Sequence, residues 1–360
     1  MRKVLTRVSL CSTRATMRGT REACMRRRDF CVGLLAMPAL ARSAFADEVS
    51  TVTVIGQHGL PYLPLMLMRD QKLVEKHGTR LGLPNLAADY RTLGGTQSLV
   101  DALIAGQMNF GITGVPGLAT LWDKTAGTAN EVRALCAAQA MPFLLVTHRA
   151  DIKSIRDFKE GDKIAVPGIK NSNQAICLQM AAAKQWGQQN YAQLDPYTIT
   201  LPHPDAAIAI ISKSTELTAH YGVSPFQNYE VAAPGTHVVL KSYDTLGGQT
   251  TNGVVLMTRK FRDANPKATA AVHAALTEAS ELINKDARAS AEVYIRLTNE
   301  KRSGVDEMAK MISDPDNAWT TTPQNAMRYV EFMHKVGTLK KMPGDWRDLF
   351  MPEVHGLKGS

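Results

Sequence analysis

A handful of short clusters in this sequence carry side chains able to hold a small polar molecule. Gln57, His58 and Tyr62 offer an amide, an imidazole and a phenol within six positions of one another. Gly94-Gly95-Thr96-Gln97 and Thr113-Gly114 each place small or hydroxyl-bearing residues after an apolar run. Asn171-Ser172-Asn173 is a run of three short hydrogen-bonding residues, and His203, His220 and Phe226 follow. A glycine-led helix start presents free backbone N–H groups and the positive end of the helix dipole, which favours an anion or carboxylate. A histidine adds a donor able to carry charge, and Tyr62 and Phe226 add stacking surface for an organic body. Each cluster also has a plain structural reading. Gly94-Gly95 is a strand-to-helix turn, Asn171-Ser172-Asn173 is a good N-cap, and His203 sits between Pro202 and Pro204, where it would be solvated.

The sequence lacks the spacings that mark a reaction. It contains no Gly-x-Ser-x-Gly elbow, Ser-x-x-Lys, His-Glu-x-x-His, Cys-x-x-Cys, phosphate-binding loop or Gly-x-Gly-x-x-Gly. No local pairing of histidine with carboxylate implies acid–base or metal chemistry, so no catalytic residue, metal or cofactor is expected. The Met66/Met68 and Met308/Met311 pairs read as packing, and Asn228 and Tyr229 read as loop residues.

The elements that must position these clusters alternate strand and helix. Val52–Ile55 is a β-branched strand, Pro64–Lys76 a helix ending before Gly78, and Ala87–Tyr90 a strand entering Gly94-Gly95. Gln97–Ala105 is an amphipathic helix, Phe110–Thr113 a strand, and Leu135–Val146 one further strand. A second unit begins near Ala150. It has a helical turn at Ser154–Phe158, strands at Lys163–Val166, Tyr197–Leu201, Glu216–His220 and His237–Leu240, and helices at Asn171–Trp186 and Asp205–Ser212. After Gly253, the strand Val254–Met257 leads into helices at Pro266–Leu297 (broken near Asp286), Val305–Ile312 and Pro323–Val336. This order belongs to α/β proteins with mainly parallel sheets. It divides the chain into a discontinuous first lobe, 47–147 with 252–360, and a second lobe, 148–251, the two crossings forming a hinge.

Residues 1–46 read as an address. A basic stretch ending Arg26-Arg27-Arg28-Asp29-Phe30 precedes the apolar run Cys31–Ala41 and the small-residue site Ala44-Phe45-Ala46. Arg27-Arg28-Asp29-Phe30 matches a twin-arginine signal, and Met17 and Met25 are alternative starts. Of the 42 Lys/Arg and 33 Asp/Glu residues, ten and two lie in this leader, so the remainder is almost neutral. That balance leaves no electrostatic footprint for nucleic acid. Cys136 and Cys177, the two cysteines beyond the leader, stand in apolar surroundings and read as buried thiols rather than a disulfide.

Leu93-Gly94-Gly95-Thr96, followed by Asp101 to Phe110 (Asp-Ala-Leu-Ile-Ala-Gly-Gln-Met-Asn-Phe), resembles a signature of nitrate/sulfonate/taurine-type substrate-binding proteins of ABC importers. Asn109 stands where that family commonly has Asp. Gly59 to Pro64, Asp151 to Lys159 and Thr218 to Gln227 match further stretches, so the resemblance spans about residues 50–340. It implies a type II periplasmic-binding-protein fold, with a small organic anion or polar molecule held between the lobes. It also implies a periplasmic monomer that docks on an ABC permease in the inner membrane. The sequence leaves two alternatives open. One is an enzyme related to the pyrimidine-precursor synthases of this fold, against which the absence of their cysteine-rich run counts. The other is the ligand-binding component of a sensor.

Overall fold

The computed structural model describes residues 48–360. The export signal expected at 1–46, with its cleavage site after Ala46, lies outside the described residues. Two five-stranded sheets flanked by helices organise the chain. The β-branched run Thr51–Gly56 (β1) leads through Leu63–Asp70 (α1) and Leu73–Arg80 (α2) to Ala87–Thr92 (β2). Thr96–Ile104 (α3), Phe110–Thr113 (β3), Val115–Thr125 (α4) and Val132–Ala140 (β4) complete the first pass. Leu144–Thr147 (β5), Ile164–Val166 (β6), Asn173–Trp186 (α5), Thr198–Thr200 (β7), His203–Ile211 (α6) and Ala219–Tyr221 (β8) follow. The chain continues with Phe226–Ala232 (α7), His237–Lys241 (β9), Ser242–Leu246 (α8), Thr251–Thr258 (β10) and Arg259–Ala264 (α9). It ends with Pro266–Lys285 (α10), Ala287–Thr298 (α11), Val305–Ile312 (α12) and Met327–Lys335 (α13).

The first sheet has the order β2-β1-β3-β10-β4 and the second β7-β6-β8-β5-β9. In each, four strands run one way and one runs against them. β10 is antiparallel to β3 and β4, and β5 is antiparallel to β8 and β9. The sheets are therefore mixed, and the reversed strand in each lies next to a crossing of the chain between sheets. This is a two-lobe α/β architecture.

Several expectations need correction. The single strand expected at Leu135–Val146 is two strands in different sheets, because Met141-Pro142-Phe143 interrupts it and Pro142 has no N–H to give a ladder. Leu144–Thr147, expected with the first lobe, is consequently hydrogen-bonded into the second sheet. The helix expected at Pro64–Lys76 breaks at Lys72, whose φ of 49° is left-handed, and restarts as α2. Gly78 does not end it. It lies inside α2 against Leu86, where even a β-carbon would come within 3.0 Å. Four helices, α4, α7, α8 and α9, have no counterpart among those expected from the sequence. α4 and α7 each start beside a proline, Pro116 and Pro225. Asn228 and Tyr229 accordingly lie on a helix.

The core runs along both sheets. Phe110, Ile112, Leu118 and Phe350 are fully buried around the first, and Tyr221 and Tyr329 are buried deeper along the chain. Met351 N donates to Ala134 O at 2.7 Å, so the C-terminal segment covers the outer edge of β4. Cys136 and Cys177 are buried and unpaired, and burial pushes the Cys177 thiol up to about 12.

Candidate functional site

Strand ends and helix starts from both sheets meet at one small cavity of about 40 Å³. From the first sheet come Gln57 and Tyr62 after β1, Thr96 at the start of α3, Thr113 and Gly114 at the start of α4, and Gln139 and Asn252 from β4 and β10. From the second come Ser172, Asn173 and Gln174 at the start of α5 and His203 at the start of α6. Four helix N-termini therefore face the same space, each bringing first-turn N–H groups that the helix cannot satisfy. None of the lining side chains is Asp, Glu, Lys or Arg.

Eight of the residues singled out in the sequence line this cavity: Gln57, Tyr62, Thr96, Thr113, Gly114, Ser172, Asn173 and His203. His58 and Phe226 instead line a larger cavity of about 490 Å³, which shares Gln57 and Tyr62 with the first. Its other walls include Met66, Tyr90 and Tyr294, with Arg69, Arg91 and Glu300 at charged positions. Gly94, Gly95, Gln97 and Asn171 line neither cavity. They form a seam between the parts of the chain that carry the two sheets. A β-carbon on Gly95 would come within 2.9 Å of the Pro167 carbonyl oxygen, and Asn171 Nδ2 donates to Gln97 Oε1 at 3.2 Å. The glycine at the head of α3 thus permits close approach of protein to protein. Lys170 is exposed and outside both linings.

His220 does not reach the cavity. It is fully buried behind His203, with its Nε2 2.8 Å from His203 Nδ1. Its own Nδ1 makes a short contact with Glu230 Oε1, and Glu230 is also without exposed surface. On the cavity side, Gln174 Nε2 is 3.5 Å from His203 Nε2. The ring of Phe226 lies nearly parallel to that of His203, with centroids 6.2 Å apart. Burial pushes His220 down to about 3 and raises Glu230 well above the carboxylate range. Burial, followed by the neighbouring His220 and His58, holds His203 well below its ordinary value. All three shifts favour uncharged forms, so the contact between Glu230 and His220 is a hydrogen bond between uncharged groups rather than an ion pair. The chain Glu230–His220–His203 can relay a proton to the cavity wall without exposing a charge.

The arrangement of this fold is found in solved structures. The chain superposes on the alkanesulfonate-binding protein SsuA from Xanthomonas axonopodis pv. citri, bound to MOPS, with a TM-score of 0.64 at 16% identity, covering 82% of this chain and 96% of that one. The periplasmic aliphatic sulphonate-binding protein SsuA from Escherichia coli matches with a TM-score of 0.61 at 17% identity, over 86% and 99% of the two chains. The periplasmic nitrate-binding protein NrtA from Synechocystis PCC 6803 gives a TM-score of 0.61 at 15% identity, over 81% and 83%. The chain has the periplasmic-binding-protein fold. At these identities the likeness is one of fold. No family model matches the chain, and no curated protein matches it by sequence.

Within the binding-protein fold, four polar residues of interest escaped the sequence. Gln139 is the one polar residue in the apolar run Ala134 to Met141, a signal that was visible. Gln174 follows the Asn171-Ser172-Asn173 cap directly, and Asn252 had marked only a crossing of the chain. Glu230 was hidden because α7 had been read as loop. Among the described residues, no group of three His, Cys, Asp or Glu side chains is placed to hold a metal ion. No helix there is long and apolar enough to cross a membrane.

Proposed function

We propose that this chain is the extracytoplasmic solute-binding component of an ABC importer, capturing a small polar organic molecule between two lobes. The observation that carries this reading is the convergence of four helix starts and a ring of uncharged hydrogen-bonding side chains, drawn from both sheets, on one cavity. That geometry suits binding at strand ends of an α/β sheet. The larger cavity, walled by Tyr62, Tyr90, Phe226 and Tyr294, would take the organic body of the ligand. The fold neighbours that bind sulfonates and nitrate support a solute-binding role. Residues 1–46 would direct export, a permease in the inner membrane would receive the closed form, and the protein would work as a monomer. The lobes would turn about the two crossings, at 141–143 and 242–250.

The test is mass spectrometry of the denatured mature chain, to identify a small molecule carried through purification, followed by thermal unfolding with that molecule added back. A ligand at about 100 times its Kd should stabilise the chain by roughly 2.7 kcal/mol. A second reading, an enzyme on this fold, draws on the Glu230–His220–His203 relay, which has acid–base geometry. Recovery of the added molecule unchanged after prolonged incubation would reject it.

A further inference from the structure

Four buried oxygen atoms at the small cavity have no hydrogen-bond partner: Thr113 Oγ1, Gln139 Oε1, Asn173 Oδ1 and Asn252 Oδ1. Their residues are only 1–6% exposed. Two of the amides are fixed in orientation by their nitrogens. Gln139 Nε2 donates to the Pro61 carbonyl at 3.1 Å, and Asn173 Nδ2 donates to the Asn252 carbonyl at 2.6 Å. Each amide nitrogen is thus held by a protein carbonyl, which leaves the two oxygens as acceptors in need of donors. An unsatisfied buried acceptor costs about 1–3 kcal/mol, and two of fixed orientation on residues that line one cavity point to a partner that satisfies them.

We infer that the ligand of this site presents a compact, uncharged head bearing at least two N–H donors together with an acceptor of its own, as in an amide, a urea or a lactam. This rests on the solute-binding reading and narrows its ligand class. The donors satisfy Gln139 Oε1 and Asn173 Oδ1, with Thr113 Oγ1 and Asn252 Oδ1 completing the set. The acceptor faces the N–H groups at the starts of α3, α4, α5 and α6. A sulfonate, carboxylate or nitrate would satisfy those N–H groups but would set its oxygens against the two fixed acceptors, Gln139 Oε1 and Asn173 Oδ1, with no Lys or Arg among the lining residues to offset the repulsion. Of the small organic anion or polar molecule expected from the sequence, this selects the uncharged polar alternative.

The experiment is calorimetry on the mature chain, freed of endogenous ligand by unfolding and refolding. The donor-bearing probes are 2-imidazolidinone and ethylurea. The donor-free probes are 1,3-dimethyl-2-imidazolidinone, ethanesulfonate and nitrate. Binding is expected for the first pair alone. Thr113→Val should weaken it about tenfold and Thr113→Ser should restore it. Gly304→Ala, at a glycine outside the cavity lining with open space around it, should leave it in place. Circular dichroism and melting of the variants confirm that they fold. Saturable binding of ethanesulfonate or nitrate would overturn the inference, as would donor probes indifferent to Thr113→Val, or no probe binding at all. In each of those cases the solute-binding reading still stands or falls on its own co-purified molecule.

Discussion

His203 Nδ1 stands 2.8 Å from His220 Nε2, and this contact joins the wall of the small cavity to the buried carboxyl of Glu230. Three titratable groups on α6, β8 and α7 are thereby tied into one hydrogen-bonded line. Because the protein surrounds them with apolar and amide groups, the line is most stable when it carries no net charge.

The pH dependence of stability follows from that. Burial lowers both histidines, His220 to about 3, while in the unfolded chain each takes up a proton below about pH 6.5. Their contribution is therefore present above about pH 6.5 and is lost as pH falls towards the folded values. The raised carboxyl of Glu230 acts with the opposite sign, its contribution being lost as pH rises from about 4.5 through its folded value. Between these limits two histidines outweigh one carboxyl, giving a net loss of roughly 1.4 kcal/mol per pH unit on acidification. Urea denaturation between pH 6.5 and 5 should show this slope largely removed in His203→Asn. Parallel slopes in wild type and variant would show that the line does not stay uncharged.

Removing the far end of the line should separate hydrogen bonding from charge. Glu230→Gln keeps the volume and a polar partner for His220 and should cost about 1 kcal/mol. Glu230→Ala leaves His220 Nδ1 buried without a partner and opens a void, and should cost about 3 kcal/mol. A Glu230→Gln variant that costs nothing by chemical denaturation would mean that the carboxyl contributes nothing beyond its volume and a polar partner for His220.

The alternation of β-branched runs with amphipathic helices was enough to reveal an α/β fold and the approximate positions of most elements. Sheet assignment was not legible, because Leu135 to Val146 is apolar apart from Gln139. Only Pro142 hints that the chain leaves one sheet there for the other. The site was half legible. Residues at strand ends and helix starts, such as Gln57, Thr113 and Asn173, reach the cavity. Gly95 was read as a ligand-binding glycine and instead meets the Pro167 carbonyl, a distinction that depends on how the two halves of the chain close on one another. Glu230 lies ten residues from His220, with a turn and a helix between, and nothing local announces their contact.

Gly114 offers a direct probe of that closure. Its φ of −73° and ψ of 157° suit any residue, so a side chain there strains no backbone. A β-carbon would nevertheless come within 2.7 Å of the Asn173 side chain, which arrives from the other sheet. Gly114→Val should lower ligand affinity at least about tenfold by holding the halves apart. Gly304→Ala, at a glycine with open space around it, should leave affinity unchanged. Equal affinities by calorimetry would place the ligand elsewhere.

Export can be examined separately. Arg27→Lys combined with Arg28→Lys should abolish the secreted form, and N-terminal sequencing of the wild-type secreted chain should begin at Asp47. Unimpaired secretion of the double variant would remove the twin-arginine route and leave export by another.

Small-angle scattering of the mature chain, with and without its co-purified ligand, reaches the closing motion itself. Ligand that raises the melting temperature should also reduce the radius of gyration in wild type, and should fail to reduce it in Gly114→Val. A radius unchanged by a ligand that clearly stabilises the wild-type chain would contradict capture between two closing lobes.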